Sequence, residues 1–409
     1  MQRFYWVVFI VFLLCITVIR VLFSVNSAHN QLFPDSGLIK FEAILKSEPK
    51  IYDSGQVINI RNLKIYTDLF PRYHEGEKIL MEGEIKDGKI FQGNVHKIAD
   101  ATGLVKFRSR VREKIAGNID ALLPQKEATL LLGATMGVDS IDKSFRDQLT
   151  KTGTIHVVVV SGQNLTLVAG AFLATSKLIG RRKSLALAIC AVVFYAFLTG
   201  FEPPVVRAGL MVIAASIGVY FGREADTLLS LFLAALVIVL VSPQALFEVS
   251  FQLTFAATLG IVTLGNRISN FKLMFHKEVK SKILNLLAVP LSAYIFTAPV
   301  ILYYFGQVSA LSPMANVMVA EAVAPIMALG FLAAGASLIF MPLAQILAYF
   351  AFVPAFYFAK VVEVFAQIPV GQINLGKGST MFVILYYVVL LFLLIFLGKK
   401  AKGQTLASG

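Results

Sequence analysis

Charged residues are scarce in this sequence, and that scarcity limits the class of protein. Asp, Glu, Lys and Arg make up 15% of its 409 residues, whereas hydrophobic residues make up 57%. Soluble domains usually contain about 25% charged and about 45–50% apolar residues. The composition therefore weighs against a soluble enzyme, and also against a disordered or fibrous chain.

The sequence also lacks the clusters on which most enzymes and metal sites depend. Its two cysteines, Cys15 and Cys190, both lie in apolar runs and imply no disulfide framework. The five histidines are scattered, and no Cys/His or His/Asp cluster has the spacing of a metal site. Neither a P-loop nor a Gly-x-Ser-x-Gly motif occurs. We therefore expect no enzyme activity, no catalytic residues, no metal and no cofactor.

The charge that is present is unevenly distributed. Residues 24–126 contain 16 Lys/Arg and 13 Asp/Glu, a density typical of a soluble domain. Residues 127–409 contain only 19 Lys/Arg and 11 Asp/Glu. This distribution predicts a polar domain inserted between an N-terminal apolar segment, residues 1–23, and a large membrane domain, residues 127–398.

Long apolar runs predict a polytopic α-helical membrane protein with about ten spans. The first run, residues 4–23, has the length of about 20 residues that a bilayer crossing needs. A secretory signal peptide is the alternative interpretation of this run. The other predicted spans lie near 156–176, 184–199, 207–222, 227–245, 249–265, 285–304, 316–340, 345–367 and 381–398.

Basic residues between these spans predict the orientation of the chain. Even numbers of spans separate four basic clusters, so all four can face the cytoplasm, as the positive-inside rule requires. These clusters lie at 177–183, 223, 267–282 and 399–402. We therefore expect both termini, including the basic tail 399–409, in the cytoplasm, with residues 24–126 on the opposite side of the membrane. Much of the net charge of +13 then reflects topology and does not argue for nucleic acid.

The first part of the polar insert, residues 24–103, has the pattern of a small β domain. Apolar and polar residues alternate over 39–46 and 78–86, and Asp87-Gly88 is typical of a hairpin turn. Short strands in this number suit a small β-barrel such as an OB-like fold, which often binds single-stranded nucleic acid, and the pattern is equally compatible with another small β-barrel. Six aromatic residues could stack on bases, or could belong to the core: Phe41, Tyr52, Tyr66, Phe70, Tyr73 and Phe91.

Residues 104–126 then predict a basic amphipathic helix. Apolar residues recur at helical spacing from Leu104 to Leu122, and basic residues flank them. Such a helix could lie on the membrane surface, and its cations could also guide phosphates to a pore. The candidates for this entry surface are Lys106, Arg108, Arg110, Arg112 and Lys114.

Polar residues within the apolar runs are candidates for a path through the membrane. Such groups are costly in lipid and usually face a cavity or a partner. The stretch from His156 to Asn164 also predicts a broken helix, whose free backbone groups need protein or water. Bridging of neighbouring helices is the alternative role for these residues. The path candidates are His156, Ser161, Gln163, Asn164, Arg207, Gln252, Asn316 and Glu321.

Four ordered motifs of this chain resemble the membrane domain of the ComEC family of bacterial DNA-uptake proteins. They are Leu130-Leu-Leu-Gly133-Ala-Thr-Met-Gly137, the stretch from His156 to Gly162, Leu198-Thr-Gly200 with Pro204 and Arg207-Ala208, and Phe251-Gln252-Leu253-Thr254-Phe255. In this family Ser-Gly-x-His is common where this chain has Ser161-Gly162-Gln163-Asn164. Many members also have a C-terminal metallo-β-lactamase-like domain, for which we find no His-x-His-x-Asp-His cluster here.

The resemblance implies a channel that takes up single-stranded DNA during natural transformation. It further implies an extracytoplasmic DNA receptor, a cytoplasmic translocase or helicase, and a nuclease that is a separate protein or absent. Two other functions are compatible with the residues: a secondary transporter or lipid-linked flippase, and a membrane scaffold that transports nothing. Uptake of labelled DNA and salt-dependent binding of oligonucleotides to residues 24–126 would separate the channel from both alternatives.

Overall fold

The computed structural model describes residues 36–45, 47–52, 55–60, 63–86, 89–91, 93–220, 227–265, 268, 278–368, 372–374, 376 and 378–407. The predicted first span 4–23 and the turn residues 87–88 lie outside these ranges, as do most of the basic residues at 223 and 267–282. The chain forms two compact units. The first unit comprises Met1–Thr150, Ile155–Leu246 and Val319–Glu363, and the second comprises Lys151–Thr154, Phe247–Met318 and Val364–Gly409.

The first unit begins with a seven-stranded sheet, in agreement with the predicted β domain. Its path runs β1-β5-β6-β4-β3-β2, and β7 also pairs with β5. The strands are β1 (Ser36–Ile44), β2 (Lys50–Tyr52), β3 (Gly55–Ile60), β4 (Leu63–Thr67), β5 (Lys78–Lys86), β6 (Lys89–Phe91) and β7 (Asn94–Ala99). This path has two ends, β1 and β2, so closure into an OB-like barrel is not confirmed.

The hairpin predicted around Asp87-Gly88 is confirmed by the strands on either side. Ile85 pairs with Ile90 across β5 and β6, and Glu82 pairs with Asn94 across β5 and β7. The register of β5 and β7 shifts between Lys78, which pairs with Ala99, and Ile79, which pairs with Lys97, and such a shift is typical of a β-bulge. Alternate residues point into one apolar core formed by Leu45, Ile58, Leu63, Ile65, Tyr73, Ile79, Met81, Ile85, Ile90 and Val95.

Helices make up most of the described chain after the sheet. They are α1 (Gly103–Asp120), α2 (Gln125–Met136), α3 (Lys143–Thr152), α4 (Ile155–Val158), α5 (Gly162–Ala174), α6 (Ser176–Ile179), α7 (Arg181–Leu198), α8 (Pro203–Tyr220), α9 (Thr227–Val241), α10 (Val249–Gly260), α11 (Glu278–Phe305), α12 (Ser312–Ile339), α13 (Met341–Ala366) and α14 (Thr380–Ala407). A 3-10 turn, Pro243–Phe247, precedes α10, and a π-helical turn, Ile261–Gly265, follows it. Two short strands, β8 (Gln307–Ser309) and β9 (Gln372–Asn374), pair in the second unit.

The predicted number of about ten spans is not confirmed. Among the described residues, four helices are long and apolar enough to cross a membrane: Pro203–Tyr220, Leu286–Phe305, Ser312–Ile339 and Met341–Ala366. Shorter apolar helices occupy Thr227–Val241, Val249–Gly265 and Thr380–Leu394. The predicted span 156–176 is interrupted between α4 and α5, and α7 begins with three basic residues. These interruptions reduce the continuous apolar length that a crossing requires.

Candidate functional site

The predicted broken helix is confirmed in the first unit. Helix α4 ends at Val158, and α5 begins at Gly162 with Ser161 as its N-cap residue. The Ser161 hydroxyl accepts a hydrogen bond from the backbone N–H of Asn164 at 3.4 Å. It donates one to the side-chain oxygen of Asn164 at 3.0 Å. The cap satisfies one of the free N–H groups at the start of a helix. A polar side chain is thereby fixed at the break.

Gly133 of α2 and Gly137, just after α2, allow the break to pack closely. A Cβ atom on Gly133 would collide with the carbonyl oxygen of Val158, and one on Gly137 would lie 2.8 Å from a methyl group of Val160. Gly137 also has φ +69°, a left-handed conformation that ends α2. The break therefore lies directly against the C-terminal turn of α2.

A buried polar cluster forms where α2, α5 and α7 meet. The Asn164 side-chain amide donates to the carbonyl oxygen of Ala134 at 3.2 Å, and the Tyr195 hydroxyl donates to the same oxygen at 2.8 Å. All of these groups are buried among apolar residues such as Val160, Leu165 and Val192. Because the last carbonyl groups of a helix lack partners within it, these two donors complete the end of α2. The contacts give Asn164 and Tyr195 a structural role in this conformation.

The path candidate Arg207 is buried. Helix α8 begins at Pro203, a residue that favours the first turn of a helix, so Arg207 lies in its second turn. The exposed fraction of Arg207 is 2%. The next residue, Ala208, packs against Gly162 so closely that a Cβ atom added to this glycine would lie 3.2 Å from the Ala208 methyl group. The Arg207 side chain is therefore enclosed by protein, and the next residue of α8 contacts the start of α5.

The remaining path candidates belong to both units. His156, Gln163 and Glu321 belong to the first unit and are exposed. Gln252 and Asn316 belong to the second unit. The Asn316 side-chain amide donates to the carbonyl of Ser312 at 2.8 Å and to the carbonyl of Gly153 at 3.4 Å, which holds residues 152–154 against the start of α12.

The basic residues of α1 divide into an exposed set and a buried set. Arg110 and Lys114 are exposed, and Lys106 contacts Asp100 at 3.1 Å. Arg108 and Arg112, which we expected on the same surface, are only 3% and 6% exposed. They share one face of the helix with Ile115 and Ile119, which are also buried. The expected surface location is thus corrected for these two residues.

Both buried arginines bind groups outside α1. Arg108 forms an ion pair with Glu75, donates to the carbonyl of Phe197 at 3.3 Å and lies over the Phe197 ring at 5.6 Å. Arg112 donates to the carbonyl of Gly137 at 3.0 Å. These contacts link the β domain to the ends of α7 and α2.

A pair of ionisable side chains supports this junction from the β domain. His74 and Glu48 are joined by a hydrogen bond of 2.9 Å, and the backbone N–H of Glu75 donates to Glu48 at 3.0 Å. The hydrogen bond to Glu48 raises the pKa of His74, although burial opposes this. Burial alone would raise the pKa of Glu48, but His74, Arg112 and the Glu75 N–H together lower it. Both side chains are therefore favoured in their charged forms.

The exposed side of α1 has the character predicted for a membrane surface. Leu104 and Phe107 are 72% and 62% exposed, one turn apart. The exposed Arg110 lies one turn beyond Phe107, where its charge can remain in water. Apolar residues bordered by cations are typical of an interfacial helix.

Sequence reasoning missed Tyr195 and the His74–Glu48–Glu75 group. It also missed the burial of Arg108 and Arg112, for which the sequence does contain a signal. These arginines are spaced with Ile115 and Ile119 so that all four share one face of a helix. Among the residues that the structure describes, no group of three or more His, Cys, Asp or Glu could hold a metal ion.

Comparison with known proteins supplies the family. The Competence protein family model matches residues 130–400. ComE operon protein 3 of Bacillus subtilis (strain 168) is 25% identical over 314 residues, which are 73% of this chain and 38% of that protein. An uncharacterized protein of Aquifex aeolicus (strain VF5) is 37% identical over 112 residues, which are 27% of this chain and 26% of that protein.

The chain spans less than half the length of either relative, and no solved structure matches it. The family match covers the chain from α2 into α14, including the broken helix and its packing partners. With well over half of its 409 residues inside that match, the chain belongs to the Competence protein family.

Proposed function

We propose that this protein takes part in DNA uptake during natural transformation, as a channel that conducts single-stranded DNA across the bacterial inner membrane. The observation that carries the proposal is the Competence family match over residues 130–400. It includes four helices that are long and apolar enough to cross a membrane. The protein acts as a conduit and not as an enzyme.

A conduit for a polyanion needs polar groups at membrane depth that bind it weakly and repeatedly. The break between α4 and α5 supplies Ser161 and Asn164, and α8 supplies the guanidinium of Arg207. In the conformation described here, Asn164 is bonded to Ala134 and packed tightly. Conduction therefore requires an open state in which the Asn164 amide exchanges the Ala134 carbonyl for water and phosphate.

Entry to the path begins at the exposed cations of α1. Arg110 and Lys114 are accessible to phosphates, with Lys106 beside them, while Arg108 and Arg112 position the helix. The β domain lies outside the membrane and both termini lie in the cytoplasm. An extracytoplasmic receptor delivers DNA, and a cytoplasmic translocase or helicase supplies the driving force.

The test is uptake of labelled DNA into the DNase-protected fraction of cells that lack the gene. Deletion should abolish protected uptake, and the intact gene should restore it. Arg207→Gln should restore little, whereas Arg207→Lys, which retains the charge, should restore part of it at equal protein level in the membrane. Unchanged protected uptake after deletion would overturn the proposal and would leave a transporter or a scaffold. Flux of a small solute that depends on the protein but not on DNA would identify a transporter or flippase.

A further inference from the structure

Three lysines form a row across the outward face of the sheet. Strand pairing places Lys64 of β4 beside Lys89 of β6, and Lys89 beside Lys86 of β5. All three side chains are exposed. Adjacent strands are about 4.8 Å apart, and like charges placed opposite each other destabilise a sheet. Repulsion among the three lysine charges therefore makes this arrangement unfavourable for the stability of the sheet.

An aromatic pair lies next to the row on the same face. Tyr66 and Phe91 pair across β4 and β6, each two residues beyond a lysine of its strand. Their rings stack with centroids 5.1 Å apart and planes at 11°. Phe91 is 60% exposed, so a large part of its ring is accessible to a ligand. Two residues along a strand correspond to about 6.6 Å, roughly the separation between a base and its neighbouring phosphates.

The other end of this face has a different charge arrangement. There Lys40 forms an ion pair with Glu82, and Lys78 forms one with Glu42 at 2.6 Å. These lysines are neutralised by carboxylates within the sheet itself. In the row, Lys86 contacts Glu84 at 3.2 Å, and the two further lysines Lys64 and Lys89 add positive charge. Positive charge is thus concentrated beside the stacked rings.

We propose that Tyr66, Phe91 and the lysine row form a binding site for single-stranded DNA on the β domain. A base stacks on the accessible face of Phe91, and the flanking phosphates contact Lys64, Lys86 and Lys89. Stacking suits every base, so the site binds without sequence preference. A duplex hides its bases and can use only the lysines. The choice of DNA as the strand rests on the proposed function, whereas the stacking and charge geometry do not.

Binding to the full-length protein in detergent provides the test, with a fluorescent single-stranded oligothymidylate as the probe. Phe91→Leu retains apolar volume against Tyr66 but removes the aromatic face, so affinity should fall roughly 5- to 150-fold. Leu38→Ala alters an apolar residue of the same face that is 87% exposed, and it should leave affinity unchanged. Phe91→Trp should retain binding, because the indole ring also stacks.

The lysine row is tested through the salt dependence of the same binding. Each phosphate contact contributes a slope of about −0.7 to a plot of log affinity against log salt for a single strand. The Lys64→Gln/Lys89→Gln double variant should therefore reduce the slope by about 1.4. The Lys40→Gln/Lys78→Gln double variant removes the same number of lysines from the same face and should leave the slope nearly unchanged.

Wild-type affinity in folded Phe91→Leu and Lys64→Gln/Lys89→Gln variants would overturn the site. The site would also be overturned if these variants lost binding to phosphatidylglycerol vesicles but still bound the oligonucleotide. That result would mean that this face of the sheet contacts lipid. Failure of this site is distinguishable from failure of the channel. Normal oligonucleotide binding without protected uptake in cells rejects the channel alone, and protected uptake without binding at the sheet rejects the site alone.

Discussion

Arg108 and Arg112 lie one turn apart on α1, and each donates a hydrogen bond to a carbonyl group at the end of a different helix. Arg108 reaches Phe197 at the end of α7, and Arg112 reaches Gly137 just after α2. The C-terminal end of a helix carries partial negative charge, so a cation there is stabilising. Asn118 of the same helix donates to the carbonyl of Ser337 near the end of α12 at 2.9 Å. Helix α1 thus holds three helix ends in the first unit.

Replacing Arg112 should destabilise the protein although the residue belongs to a basic helix. Arg112→Gln removes a buried hydrogen bond from a charged donor, and such bonds contribute about 1.5–3 kcal/mol. We expect a lower midpoint of thermal unfolding, measured by circular dichroism in detergent. Arg110→Gln removes the same charge from an exposed position and should change stability by no more than about 0.5 kcal/mol. Equal midpoints for the two variants would contradict the capping role of Arg112.

The ion pair between Glu75 and Arg108 predicts a larger effect that is not additive. Glu75→Gln leaves the buried guanidinium of Arg108 without its carboxylate, and breaking a buried pair in this way costs about 3–5 kcal/mol. The double variant Glu75→Gln/Arg108→Met removes both charges and should be more stable than Glu75→Gln alone. A double variant as unstable as the sum of the two single variants would mean that the residues act independently.

The pair of His74 and Glu48 predicts a stability contribution with a defined pH window. The raised pKa of His74 makes its contribution fully present below 6.5, and it is lost as the pH rises through the folded-state value. The lowered pKa of Glu48 makes its contribution present above 4.5, and it is lost as the pH falls through the folded-state value. The pair is therefore strongest between 4.5 and 6.5.

The measurement for this pair is the difference in unfolding midpoint between the wild type and His74→Gln. The glutamine can still donate a hydrogen bond to Glu48 but has no titratable group. The difference should be largest inside the window and should shrink as the pH is raised above it. A difference that stays constant from pH 5 to pH 8, about the range in which histidine titrates, would exclude the protonated pair.

The sequence allowed good predictions of local elements and poor ones of burial. Alternation predicted β1 and β5 and the turn between β5 and β6, because a strand with one buried face has a period of two. Helical spacing predicted α1. Whether Arg108 points to solvent depended on Glu75 and Phe197, which lie 33 positions before it and 89 positions after it. A local pattern carries no information about partners at such separations.

The candidate site was predictable to a similar extent. The polar stretch within an apolar run indicated the break between α4 and α5, because Ser161 is a good N-cap residue. The partner of Asn164 was not predictable, since it is the backbone carbonyl of Ala134, and every residue of α2 has such a group. Tyr195 contributes to the cluster through its hydroxyl alone, and a tyrosine in an apolar helix gives no sign of that role.

The close packing of α2 against the helix break predicts that Gly137 cannot be replaced by alanine without cost. An alanine there would adopt a left-handed conformation, φ +69°, and its methyl group would lie 2.8 Å from Val160. Left-handed backbone costs about 1–2 kcal/mol for a residue other than glycine, and the crowding adds to that.

Gly137→Ala should therefore lower the unfolding midpoint and reduce DNase-protected DNA uptake, because displacement of Val160 disturbs the cap at Ser161. Gly170→Ala is the matched control: Gly170 lies within α5, and a Cβ atom there would meet nothing within 4 Å. That substitution should be neutral or stabilising by up to about 1 kcal/mol, since alanine favours a helix interior over glycine. If both variants took up DNA like the wild type and unfolded at its midpoint, the tight contact between α2 and the break would have no bearing on stability or transport.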